Sequence, residues 1–307
     1  MKLTRRMFFK VNAVGAVGCA GLARPASAST VSGAGPDAYG MLVDTTLCIG
    51  CQGCEAACRE ANGIPEPDAI DDGDVFDRHR DTQTDAFTVV NRYPVPGSPD
   101  EPRYIKTQCM HCVDPACASA CPARALEKTA SGPVVYHGDR CLGCRYCMMA
   151  CPFDIPKFEY AKAVPYVKKC DFCAGRQARG LQPACSEICP GGALKFGKRA
   201  DLLEEARTRI YQNPAKYAHH IYGEHEAGGT SWLYISDLRP EQLGLKTGLS
   251  STPYPDLTKS ALSAVPVVLT LWPPLLMALY TFGQQRNRTD VAEPMAAAAT
   301  VKEDGHA

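Results

Sequence analysis

The chain has 307 residues, with 33 Lys and Arg against 33 Asp and Glu and so a formal charge of zero. At roughly 150 residues per domain, that length holds a sizeable core and about two domains. Five of the bases, Lys2, Arg5, Arg6, Lys10 and Arg24, fall in residues 1–28, which carry no acid; the remaining 28 bases against 33 acids leave no basic excess for nucleic acid.

Residues 1–28 predict an export signal. Thr4-Arg-Arg-Met-Phe-Phe-Lys10 leads into a weakly apolar stretch from Val11 to Leu22 and ends in Pro25-Ala-Ser-Ala28, which is the order of a twin-arginine signal with an Ala-x-Ala cleavage site. Gly18-Cys19 is the competing reading, a lipoprotein site, and Ala16 stands there where a larger aliphatic residue is expected. Twin-arginine export moves folded proteins, so a cofactor inserted in the cytoplasm is compatible with an exported chain.

Seventeen cysteines is the outlying count. Sixteen of them form four quartets, and Cys19 is the remainder. An even set in an exported protein suggests disulfides. Repeated two-residue gaps suit convergence on a metal centre better.

The first quartet is Cys48, Cys51, Cys54 and Cys58, preceded by a predicted strand at Tyr39–Asp44; Arg59 stands where a proline is usual. Residues 59–108 form an acid-rich insertion expected to be a solvated loop. Its Asp72-Gly-Asp74 lacks the alternation and terminal Glu of a calcium loop. Two strands, Phe87–Tyr93 and Arg103–Lys106, lead into the second quartet, Cys109, Cys112, Cys117 and Cys121. His111 lies inside it, and a packing or hydrogen-bonding role suits it better than ligation. A hairpin, Ala125–Thr129 and Val134–His137 with its turn at Ala130-Ser-Gly132, then joins the third quartet, Cys141, Cys144, Cys147 and Cys151.

The segment Phe153–Val167 is broken by Pro156 and Pro165, and the fourth quartet follows: Cys170, Cys173, an eleven-residue loop bearing Arg176 and Arg179, then Cys185 and Cys189. A closing strand is predicted at Gly192–Gly197 and an amphipathic helix at Ala200–Tyr211, with Leu202, Leu203, Ala206 and Ile210 on one face. Residues 201–260 read as a C-terminal extension and tether with one strand at Ser231–Ile235. Residues 261–282 carry no charge across 22 positions, enough to cross a bilayer core that needs about 20. Pro266, Pro273 and Pro274 are harder to place in a helix in water than in one with neighbours in a membrane. Arg286 and Arg288 suit a cytoplasmic side for the tail, 283–307, so the anchor runs Nout to Cin.

The run Cys141-Leu-Gly-Cys-Arg-Tyr-Cys-Met-Met-Ala-Cys-Pro152 has the C-x2-C-x2-C-x3-C-P spacing of bacterial iron-sulfur ferredoxins, in which the fourth cysteine ligates a different cluster. Four all-cysteine quartets predict four [4Fe-4S] clusters. Zinc sites generally pair two C-x2-C knuckles across a longer loop, which only the fourth quartet resembles. No nucleotide loop, HExxH or nucleophile elbow is present, and complete quartets leave no open iron. The chain is therefore expected to relay electrons, with no catalytic residue of its own. Spacing lets the second quartet pair with the third, or the third with the fourth, since 19 and 18 residues separate them.

Several stretches resemble the four-cluster ferredoxin-like subunits of respiratory oxidoreductases over about residues 40–235, and within them the electron-transfer subunit of hydrogenase-2-type nickel-iron hydrogenases. They are Leu47-Cys-Ile-Gly-Cys51, Tyr104-Ile-Lys-Thr-Gln-Cys-Met-His-Cys-Val-Asp-Pro115, Cys144-Arg-Tyr-Cys-Met-Met-Ala-Cys-Pro152 and Ile221-Tyr-Gly-Glu-His-Glu-Ala-Gly-Gly-Thr230. The resemblance implies an α+β fold of two pseudo-symmetric bacterial-ferredoxin-like modules with loop insertions over 40–200, plus the C-terminal transmembrane helix. It implies crossed ligand sets: Cys48, Cys51 and Cys54 with Cys189; Cys170, Cys173 and Cys185 with Cys58; Cys109, Cys112 and Cys117 with Cys151; Cys141, Cys144 and Cys147 with Cys121. It implies hydrogenase small and large subunits and an integral membrane quinone-reactive subunit as partners, on the periplasmic side of the inner membrane. The alternatives are the beta subunit of a formate dehydrogenase or other molybdopterin oxidoreductase, and a tethered zinc or disulfide scaffold.

Overall fold

A computed structural model describes residue 35 and residues 37–66 and 75–300. The export signal at 1–28, Cys19 and Asp72-Gly-Asp74 lie outside the described residues. The chain divides at Pro255 and Asp256 into two units.

The first unit is built on a three-stranded sheet whose middle strand is β1 (Tyr39–Asp44). Strand β8 (Leu194–Lys198) pairs antiparallel with it, Val43 facing Leu194, and β9 (Trp232–Ile235) pairs parallel on the other side, Val43 facing Tyr234. Residues 231–235, expected in an overlying extension, thus supply an edge of the central sheet, and Trp232, Leu233 and Ile235 are fully buried. Polar flanks hid this, because only a four-residue run enters the core.

Alternation along the strands separates two layers. Leu42, Leu233 and Ile235 turn towards the helix α6 (Arg199–Gln212), which buries Leu202, Ala206 and Ile210 at helical spacing, with Leu203 partly covered. Met41, Val43, Trp232 and Tyr234 pack with Phe172, Leu194 and Cys185, so the cysteine-bearing loops lie against this second layer. Asp44, 1% exposed, closes the end of β1 by accepting from Tyr217 (2.8 Å) and pairing with Arg209 (3.0 Å).

The two strands expected at Phe87–Tyr93 and Arg103–Lys106 within the insertion 59–108 are present and pair with each other. Strands β2 (Val89–Val95) and β3 (Ser98–Thr107) form a hairpin. Arg80 grips Glu55 through two bonds of 2.6 and 3.1 Å, and Glu55 also accepts from the Val90 N–H at 2.7 Å. A buried carboxylate needs such partners. Arg103 makes a forked bond to Asp237, its closest approach 2.7 Å, tying β3 to the end of β9.

A second core gathers Cys117, Cys147, Leu126, Val134 and Val167. It is covered by two small hairpins: β4 (Leu126–Lys128) with β5 (Val134–Tyr136), and β6 (Lys157–Phe158) with β7 (Val167–Lys168). The latter hairpin was masked in the sequence by Pro156 and Pro165.

The second unit holds all but the first two residues of the helix Tyr254–Thr300, labelled α7 below. Its segment Tyr254–Gln284 has 31 residues and contains an 18-residue stretch of mean hydropathy 1.9, long and apolar enough to cross a membrane. Pro266, Pro273 and Pro274 lie inside it without interrupting it.

Candidate iron-sulfur relay

All four quartets share one local conformation. The residue before the second cysteine is left-handed in each: Gly50 (φ 71°), His111 (φ 47°), Gly143 (φ 68°) and Phe172 (φ 58°). That turn aims a backbone N–H at the first cysteine. Gly143 N reaches Cys141 Sγ at 3.4 Å, Phe172 N reaches Cys170 Sγ at 3.3 Å, and the Gly50 N–H likewise lowers the Cys48 pKa against burial that raises it. Glycine suits the turn, and at Gly50 a Cβ would also stand 2.5 Å from the Tyr104 ring.

A second repeat follows the Cys-Pro quartets. Three residues on, Arg124, Asp154 and Gly192 are left-handed. The next N–H turns back: Ala125 N donates to Cys121 Sγ at 3.2 Å, and the Ile155 N–H holds the Cys151 pKa down against burial. The first quartet lacks the proline, and there the chain continues through Arg59 as the helix α1 (Gly53–Asn62). Asn62 takes over the missing donor's place, its Nδ2 lying 3.6 Å from Cys58 Sγ.

Of the four remaining short α-helices, α2 (Ala116–Ser119), α3 (Tyr146–Ala150) and α5 (Ala184–Glu187) carry a cysteine, and α4 (Ala174–Gln177) directly follows Cys173. Helix α1 packs on α5, and α2 on α3. Several thiols raise one another's pKa. Cys189 and Cys51 act on Cys48. Cys58 acts on Cys170, and Cys185 and Cys173 act on Cys58. Cys117, Cys151 and Cys109 act on Cys112, while Cys121, Cys141 and Cys144 act on Cys147. Between these groups run four further links: Cys185 with Cys54, Cys189 with Cys185, Cys109 with Cys170, and Cys147 with Cys117.

The donor chemistry fits iron-sulfur clusters. Cys48, Cys51, Cys54 and Cys189 line one hollow together with Val43, Val90, Tyr104 and Leu194. Burial pushes the Cys54 and Cys58 thiols up to about 12, and Cys147 and Cys151 to about 11. Such thiols ionise near neutrality only against a bound cation, which is what a metal centre provides. Among the described residues no three Cys, His, Asp or Glu side chains converge closely enough to hold a single metal ion.

His111 is 1% exposed and accepts the Val134 N–H at Nδ1, 2.8 Å away. It packs rather than joining a thiolate group. Arg176 pairs with Glu187 and donates to Gln182 O, bracing the loop of the fourth quartet. The glycine-rich run 221–230 clamps the second quartet: Val113 N donates to Gly229 O at 2.9 Å, and Ser231 N to Met110 O at 3.1 Å.

Sequence reasoning missed three buried lysines. Lys106, Lys128 and Lys169 are 3%, 6% and 6% exposed. The available signal was position, since Lys106 ends a strand three residues before Cys109 and Lys169 directly precedes Cys170.

Comparison with known proteins adds the following. The model of the 4Fe-4S dicluster domain family matches residues 101–199. A protein of Nitratidesulfovibrio vulgaris (strain Hildenborough) is 47% identical over 279 residues, 90% of this chain and 75% of that one. The hydrogenase-2 operon protein HybA of Escherichia coli O157:H7 is 36% identical over 241 residues, 68% of this chain and 73% of its own. The iron-sulfur subunit of the nitrate-inducible formate dehydrogenase of Escherichia coli K12 is 35% identical over 224 residues, 71% and 74% of the two chains.

Proposed function

The chain belongs to the four-cluster ferredoxin-like iron-sulfur subunits found in hydrogenase-2 and formate dehydrogenase systems, and from that premise we propose that it relays electrons from a periplasmic nickel-iron hydrogenase to a quinone-reactive subunit in the membrane. When bound, [4Fe-4S] clusters supply one-electron transfer. The residues proposed to hold four of them are Cys48, Cys51, Cys54 and Cys189 (first); Cys58, Cys170, Cys173 and Cys185 (second); Cys109, Cys112, Cys117 and Cys151 (third); and Cys121, Cys141, Cys144 and Cys147 (fourth).

The observation that carries this reading is that thiols of different quartets act on one another. Cys189 acts on Cys48 across the sequence, Cys58 on Cys170, Cys151 on Cys112 and Cys121 on Cys147. With α1 against α5 and α2 against α3, it supports two pseudo-symmetric modules within 40–200. The links Cys54–Cys185, Cys170–Cys109 and Cys117–Cys147 support a linear order, first to fourth.

On this reading oxidation of one hydrogen molecule leaves two protons at the hydrogenase and sends two electrons singly through the chain. The hydrogenase large and small subunits would dock at one end, and residues 261–282 would anchor the relay beside its membrane partner, with an exported N-terminal side and a cytoplasmic tail at 283–307. The second reading, a formate dehydrogenase subunit, is favoured by the 35% identity to that enzyme's iron-sulfur subunit. Anaerobic purification of the native complex separates the two: a co-purifying nickel subunit supports the first, and a molybdenum subunit contradicts it and supports the second.

A further inference from the structure

Burying an ammonium group costs several kcal/mol unless an opposite charge and hydrogen bonds compensate. The hydrogen bonds of the three buried lysines all go to neutral groups. Lys106 Nζ donates to Thr88 Oγ1 (2.5 Å) and Gln108 Oε1 (3.2 Å) and lies 4.8 Å from the centroid of the Trp232 ring. Lys128 Nζ donates to His111 O (2.9 Å), Gly132 O (2.5 Å) and Ser231 Oγ (3.3 Å). Lys169 Nζ donates to Val134 O and Cys170 O. Among the described residues none of the three pairs with a carboxylate.

The three ammonium groups stand beside the cysteines: Lys106 lines the same hollow as Cys48, Cys51, Cys54 and Cys189, Lys128 bonds the carbonyl of His111 between Cys109 and Cys112, and Lys169 bonds the carbonyl of Cys170. Lys106 acts on Cys48 and Cys54 of the first proposed cluster and on Cys58, Cys170 and Cys185 of the second. Lys128 acts on Cys112, and Lys169 on Cys117, both of the third. Asp171 works in the opposite sense on Cys58 and Cys170. The fourth set differs: the charges acting on Cys147 are those of its own cysteines, and the neighbouring Arg124, Arg140 and Arg145 are exposed, where water and salt screen them.

We propose that Lys106, Lys128 and Lys169 are counter-charges that raise the reduction potentials of the clusters they face, Lys106 acting on the first and second, Lys128 on the third and Lys169 on the second and third, with no such charge on the fourth. The proposal rests on the ligand sets given under the proposed function. Reduction adds one negative charge to a cluster, so a nearby buried cation stabilises the reduced form more than the oxidised form, and net charge is among the determinants of cluster potential. Weak screening in the interior keeps that effect local and strong. The hydrogen bonds to Thr88, Gln108 and the backbone carbonyls hold each ammonium in place, which makes the three lysines positioning residues with an electrostatic task.

The test is a redox titration of the full chain, purified anaerobically and followed by electron paramagnetic resonance, with each signal identified by a serine substitution at one of its ligands. Lys106→Met is expected to shift the midpoints of the first and second clusters to lower potential and leave the third and fourth unmoved. Lys128→Met should lower the third alone, and Lys169→Met the second and third. Lys106→Arg, which keeps the charge, should restore the wild-type midpoints. Unmoved midpoints in iron-replete methionine variants, or an equal shift of all four, overturn the proposal. Should Lys106→Met lose its iron, Lys106→Gln, which removes the charge and keeps a hydrogen-bond donor, is titrated in its place with the same expected shifts. The iron content of the wild-type chain reads the underlying assignment separately: fewer than four clusters there refutes the ligand sets, whatever the lysines do.

Discussion

The imidazole of His111 stacks on the ring of Phe172, with centroids 5.1 Å apart and planes 27° apart. Each residue stands just before the second cysteine of its quartet, in the same left-handed conformation, so the stack joins the loops of two different cysteine groups. Phe172 continues onto Trp232 at 5.5 Å. Burial first, then the charges of Lys169, Lys128 and Lys106, hold His111 well below its usual pKa. It is therefore neutral, with its proton on Nε2 because Nδ1 accepts from Val134.

Phe172→Ala should cost about 3–5 kcal/mol, the range for a large aromatic removed from a packed core. The temperature at which the iron-loaded chain releases its iron should fall accordingly. His111→Phe keeps the stack and deprives the Val134 N–H of its acceptor, a smaller loss of about 1–3 kcal/mol. Equal effects from the two variants would contradict the packing role assigned to the junction.

Asn62 replaces, at the first quartet, the backbone donors that follow the Cys-Pro sequences. A hydrogen bond to a ligand sulfur stabilises the more negative, reduced cluster. Asn62→Leu is expected to lower the midpoint of the second cluster, to which Cys58 belongs in the proposed sets, and of no other. A redox titration reads this directly, and a shift of the first cluster instead would show that Cys58 serves the wrong set.

Protons compete with iron for the thiolates. Cys54 and Cys58, raised by burial to about 12, hold their protons across the neutral range whenever iron leaves, so proton binding drives release and favours it more at low pH. The rate of iron loss to excess chelator should therefore fall as pH rises from about 6 to about 8.5. A rate independent of pH would mean that these thiols do not take up protons as iron departs.

Removing residues 256–307 should move the chain from the membrane fraction to the soluble fraction while leaving its iron content unchanged, since the cysteines and α7 belong to separate units. Fractionation followed by iron analysis of both forms checks it.

Much of this was legible in the sequence because the informative residues carry their signal locally. Cysteine spacing marks each quartet, a short apolar run marks β1, and helical periodicity marks α6. What stayed hidden depends on distant partners. Trp232–Ile235 reads as a short run in a polar extension until its parallel pairing with β1 is known. Arg80 reads as a loop residue until Glu55 is found beside it. Lys106, Lys128 and Lys169 look like ordinary surface charges, because nothing adjacent in sequence shows that thiolates surround them.

The central claim is that sixteen thiolates hold four [4Fe-4S] clusters in one chain. Metal and acid-labile sulfide analysis of the full chain, purified anaerobically, tests it most directly. The account predicts about sixteen iron and sixteen sulfide per chain, four of each for every cubane, with four distinguishable paramagnetic signals on reduction. About eight iron would leave only two clusters, and zinc in place of iron would contradict the relay altogether.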